Sequence, residues 1–89
     1  MRILPSDGVT TTALADGRLT LRAEGRPAAV HCTPLAATMW MALRHSDGFV
    51  DLAVESLARG WGTERAKVGA VMDAWCARLL AGGWLRPAL

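Results

Sequence analysis

Apolar residues recur at helical spacing over the last third of the chain. From Thr63 to Ala81, the residues Val68, Val71, Met72, Trp75, Leu79 and Leu80 fall three and four apart, on one face of a helix. Thr63 stands where an N-cap is needed, and Glu64 follows in the first turn, where a carboxylate complements the helix dipole. Gly82 and Gly83 supply the stop. At about 100° per residue, Val68, Met72, Trp75 and Leu79 share one direction. Lys67, Val71, Ala74 and Arg78 form a strip beside them, small or apolar in the middle and basic at both ends. Such a shoulder suits the wall of a groove that receives a peptide. The plainer reading, that Val71 and Ala74 only widen the core contact, is the one periodicity alone favours.

Upstream, the pattern changes to the alternation of strands. Val9 to Ala15 is rich in β-branched residues and predicts a short strand, and Asp16-Gly17 predicts a two-residue hairpin turn. Arg18 to Ala23 then alternates, with Leu19, Leu21 and Ala23 toward a core and Arg18, Thr20 and Arg22 toward water. Glu24 to Pro27 turns the chain into a third strand, Ala28 to Cys32. There Val30 and Cys32 share one face, and Ala29 and His31 the other. Met1 to Gly8 reads as an irregular lead-in. A first helix starts at Thr33 as N-cap with Pro34 behind it, and Leu35, Ala36, Met39, Trp40 and Leu43 form its apolar face. Ser46-Asp47-Gly48 breaks it. A second helix runs from Val50 to Arg59 with Ala53, Val54, Leu57 and Ala58 inward, and Gly60-Trp61-Gly62 makes the corner to the third. Trp84 and Leu85 are expected to fold back on the core, and Arg86 to Leu89 to fray.

Three strands followed by three helices predict an α+β fold: a three-stranded antiparallel sheet with helices gathered on one side. The second and third helices, meeting at a glycine corner, also fit a helix-turn-helix, so the whole is winged helix-turn-helix-like. With 89 residues, 52% of them hydrophobic, the expectation is one ordered domain, 1–89. All four tryptophans, Trp40, Trp61, Trp75 and Trp84, are expected to be buried.

Charge and candidate chemistry narrow the function by exclusion. A formal net charge of +2 with interspersed signs argues against a nucleic-acid surface, and Glu64 and Asp73 interrupt the basic residues of the third helix. His31 and His45 fall in no hydrolase, kinase or metal pattern, and Cys32 and Cys76 have no CxxC partner. Neither metal nor other cofactor is expected, nor an enzyme. The cysteines read as reduced core thiols of a cytoplasmic protein, since Met1 to Pro5 lacks a signal-peptide core and no apolar run approaches membrane-spanning length.

Two groups of residues carry a family resemblance. Trp61-Gly62-Thr63-Glu64 through Trp75, then Leu79, Gly83, Trp84 and Leu85, resembles the C-terminal half of the PqqD-like proteins, also called RiPP recognition elements. Upstream, Cys32-Thr33-Pro34-Leu35-Ala36 followed by Met39-Trp40 resembles the start of the first helix in that family. Thr33 stands for the usual Asn, Leu35 for the usual Thr, Val71 for a frequent acid and Trp84 for the closing Leu.

The resemblance implies a module that binds the leader segment of a ribosomally made precursor peptide. The leader would lie as an added strand along the third strand and against the third helix. Mapped by position, the edge is Ala29, Val30, His31 and Cys32, and the wall is Lys67, Val71, Ala74, Trp75 and Arg78. The implied partners are the leader peptide and a separate modifying enzyme, with a lasso-peptide leader peptidase favoured. A small winged-helix DNA-binding regulator is the alternative. A structural accessory subunit is a third reading, and the open edge also invites homodimer pairing.

Overall fold

The computed structural model describes residues 1–88 and runs as four strands, three helices and a closing strand. These are β1 (Arg2–Pro5), β2 (Val9–Ala13), β3 (Leu19–Ala23), β4 (Val30–Cys32), α1 (Pro34–His45), α2 (Val50–Trp61), α3 (Arg65–Ala81) and β5 (Leu85–Ala88). The expected antiparallel sheet is present in the order β2-β3-β4, followed by the three helices, so the fold is α+β as read. The surprise is a second sheet. The lead-in is not irregular: β1 pairs antiparallel with β5, from Arg2 opposite Ala88 to Pro5 opposite Leu85. Arg86–Ala88 is therefore strand rather than frayed tail, while the fraying expected at Leu89 lies outside the described residues.

Local chemistry explains most element ends. In α1 the Thr33 hydroxyl accepts a hydrogen bond from the Ala36 N–H at 3.2 Å, with Pro34 behind it, as the capping pattern requires. The hairpin loop between β2 and β3 has three residues, Ala15, Asp16 and Gly17, not two, inside the Leu14–Arg18 pair. Leu14 N–H donates to the Arg18 carbonyl, Gly17 N–H donates to the Leu14 carbonyl, and only Gly17 takes a positive φ. Asp16 instead accepts the Arg18 N–H on its carboxylate at 3.1 Å. That bond above all, helped by the Arg18 guanidinium, holds the Asp16 carboxyl below its ordinary range against the opposing effect of desolvation.

Thr63 does not cap α3. Glu64 occupies the N-cap without a side-chain bond, and the Thr63 hydroxyl donates to the Trp61 carbonyl. Gly48 closes the turn after α1 at φ +84°. A Cβ there would strike the Ile3 carbonyl, whose own N–H donates to the Gly48 carbonyl at 2.8 Å.

One core joins both sheets to all three helices. It runs from Ile3 through Leu19, Leu21 and Cys32 to Met39, Trp40 and Leu43, then to Val54, Leu57, Met72 and Trp75, and ends on Trp84 and Leu85. Three assignments differ from expectation. Thr20 is buried, not solvated, because Thr12 and His31 stand directly across it on both sides. Leu35 is exposed, at the start of α1 beyond the core's reach. Trp61 is 40% exposed: it continues the buried face of α2 by one turn, past the end of the core.

Candidate peptide-binding cleft

The β2-β3-β4 sheet leaves β4 as an open edge, and hydrogen-bond alternation says which groups are free there. Leu14 and Arg18 form a bonded pair, so the bonded positions of β3 toward β2 are Thr20 and Arg22. Leu19 and Leu21 then bond toward β4, pairing with Cys32 and Val30. His31 is left with its N–H and carbonyl directed outward along the edge, in position to pair with another extended backbone.

Beside that edge lies a cleft of about 340 Å³ lined by Val30, His31, Cys32, Thr33, Ala36, Trp75, Arg78 and Leu79. Its floor is stiff. Trp75 is buried and meets Trp40 edge-to-face, with ring centres 6.4 Å apart and planes at 88°. Arg26, on the loop entering β4, reaches to the end of α3. Its guanidinium donates to the Gly82 carbonyl at 2.6 Å and lies 4.8 Å from the centre of the Trp84 ring, tying the β3–β4 loop to the end of α3. Arg78 stands exposed at the rim, with no carboxylate within ion-pair distance among the described residues.

Of the residues expected from the sequence, the cleft brings together Val30, His31, Cys32, Trp75 and Arg78. Ala29 precedes β4 and is not in the lining. Lys67, Val71 and Ala74 are also outside it, exposed on the stripe of α3 that leads up to Arg78. Val71 is 48% exposed, so it is not a core contact. Thr33, Ala36 and Leu79 line the cleft although capping and periodicity assigned them only structural roles.

The cleft offers no reactive thiol. Cys32 and Cys76 are free and buried, and burial raises both above the ordinary thiol range. Among the described residues, no three His, Cys, Asp or Glu side chains are grouped to hold a metal ion. No helix is long and apolar enough to cross a membrane.

These features define a small α+β domain whose open sheet edge faces a helix across a pre-formed cleft. No family model matches the chain, and no curated protein matches it in sequence. Among solved structures it is similar to TbiB1 in complex with the TbiA(beta) leader peptide. The TM-score is 0.84 over 97% of this chain and 98% of that one, at 14% sequence identity. The two chains thus share a fold over almost their whole lengths.

Proposed function

We propose that this chain is a non-catalytic recognition domain of the RiPP recognition element kind, spanning residues 1–89. It binds the leader segment of a ribosomally synthesised precursor peptide and delivers it to a separate processing enzyme in the cytoplasm. One observation carries the reading: an unpaired strand edge, β4, stands across a pre-formed cleft from α3, in a fold shared with a protein solved holding a leader peptide. In this reading the leader adds a strand to β4, its backbone bonding to His31, flanked by Ala29 and Thr33. Alternate leader side chains reach Trp75, Leu79 and Ala36. Lys67 and Arg78 attract acidic leader residues, and Val71 and Ala74 extend the wall along α3. In this reading the processing enzyme is a separate lasso-peptide leader peptidase, which removes the leader.

The test is fluorescence anisotropy with labelled leader peptides from short reading frames encoded near this chain, with a DNA duplex as control. Saturable peptide binding is expected. Val71→Glu and Ala74→Phe each weaken it at least about tenfold, the equivalent of about 1.4 kcal/mol. Both positions are exposed, so the circular dichroism and melting temperature should hold. Unchanged affinity in both variants would remove the exposed Val71 and Ala74 stretch of α3 from the site. Salt-sensitive duplex binding without peptide binding would move the chain to the DNA-regulator class.

A further inference from the structure

The sheet has a second open edge, β2, and a second groove lies along it. The alternation that turns His31 outward on β4 turns Thr11 and Ala13 outward on β2, where neither makes a backbone bond beyond the β2–β3 ladder among the described residues. Two depressions follow one another between this edge and α1. One, of about 350 Å³, is lined by Thr11, by Arg44 of α1 and by Arg86 of β5. The next, of about 290 Å³, is lined by Ala13, Leu14 and Met41 and by Arg18, whose guanidinium is paired with Asp16. Met41 and Arg44 are three residues apart on α1, on neighbouring positions of one helix face, so the depressions form one groove.

The groove is polar at one end and apolar at the other. Arg44 and Arg86 are exposed, and no carboxylate lies within ion-pair distance of either among the described residues. At the far end Leu14 is 42% and Met41 50% exposed. A free strand edge, two guanidinium groups unpaired among the described residues and an apolar end together fit one kind of occupant. We propose that the β2–α1 groove docks an extended segment of a partner protein, carboxylates at one end and apolar side chains at the other. The segment pairs with Thr11 and Ala13 by β-augmentation, and its acids meet Arg44 and Arg86.

A nucleic acid fits less well. The outward backbone groups match another peptide backbone, Leu14 and Met41 offer nothing to a phosphate chain, and Arg18 beside them is already paired with Asp16. A second copy pairing through β2 fits less well too, since Val-Thr-Thr-Thr-Ala brings no carboxylate to the arginines. The proposal stands independently of the β4 cleft, being built on the other edge of the sheet. If both hold, one domain grips two chains at once.

The probes are two short labelled synthetic peptides of alternating Thr and Leu or Val ending in Asp-Glu, one with the acids first and one with the acids last. Lysine-ended versions of each serve as controls. Binding is followed by anisotropy and by amide shifts of the full chain. One acidic peptide should bind saturably and shift the amides of Thr11 and Ala13. The Arg44→Glu, Arg86→Glu double variant should lose at least about tenfold of that affinity, and should gain the matching lysine-ended peptide. Val71→Glu should leave this binding unchanged, which separates the groove from the β4 cleft. The proposal is overturned if neither acidic peptide saturates, or if the shifts centre on His31. It is equally overturned if a Thr11→Pro change abolishes self-association instead, or if a DNA duplex binds more tightly through the same two arginines.

Discussion

At the scale of single residues, the buried Cys76 thiol ties stability to alkaline pH. Burial pushes the Cys76 thiol up to about 11, with the Asp73 carboxylate adding to the effect. An unfolded thiol ionises near 8.5, so over the interval between the two the unfolded chain releases a proton that the folded chain keeps. The stability tied to Cys76 is therefore complete below about pH 8.5 and is lost as pH rises toward the folded value. In urea melts, Cys76→Ala should cost about 1–2 kcal/mol at pH 7. The gap to the parent chain should narrow steadily above pH 9, and a gap independent of pH would mean that ionisation is uncoupled from unfolding. Both cysteines were legible as core because each sits on a periodic apolar face. Leu35 and Trp61 sit on such faces too, and were misread. Periodicity says which way a side chain points and says nothing about where the core ends.

At the scale of elements, the cleft depends on how firmly β4 is held against α3. The direct tie is Arg26, bonded to the Gly82 carbonyl at the negative end of the α3 dipole and stacked on Trp84. Arg26→Ala removes both contacts, and should cost about 1 kcal/mol of stability. Because the tie joins the β3–β4 loop to the end of α3, hydrogen exchange should also quicken at Val30 and at the last turn of α3 more than in β2. Uniform quickening would show a general loss of stability, with no local role for the tie. The sequence pattern predicted β2, β3, β4 and α3 well, since alternation and helical spacing are local signals. It predicted the cleft only in part. Arg78 follows from the shoulder of the α3 face, and Val30, His31, Cys32 and Trp75 come from the family resemblance, but Thr33 and Ala36 join because the start of α1 closes the same space in three dimensions. The Arg26 contact joins residues far apart in sequence, and no local pattern announces it.

At the scale of the whole molecule, the chain ends close the fold. β1 and β5 were invisible in the sequence because each is four residues long, carries a proline, and finds its partner at the opposite end of the chain. What makes the pair structural is Ile3. It is fully buried, its N–H is bonded to the Gly48 carbonyl, and its neighbour Arg2 pairs with Asp47 at 2.9 Å while lying against the Phe49 ring. The ribbon therefore packs on the α1–α2 turn and belongs to the same core as α3. Ile3→Ala should cost about 2–5 kcal/mol, and the whole chain should still unfold in one transition, with amides of β3 and α3 losing protection together with those of β1. Were the ribbon an appendage, protection would fall only at β1 and β5, and the melting temperature of the helices would stay where it was. The cooperative outcome has a further consequence. Arg86 is carried on β5 and lines the β2–α1 groove, so that groove needs the chain ends paired, whereas β4 and α3 assemble the other cleft without residues from the ribbon.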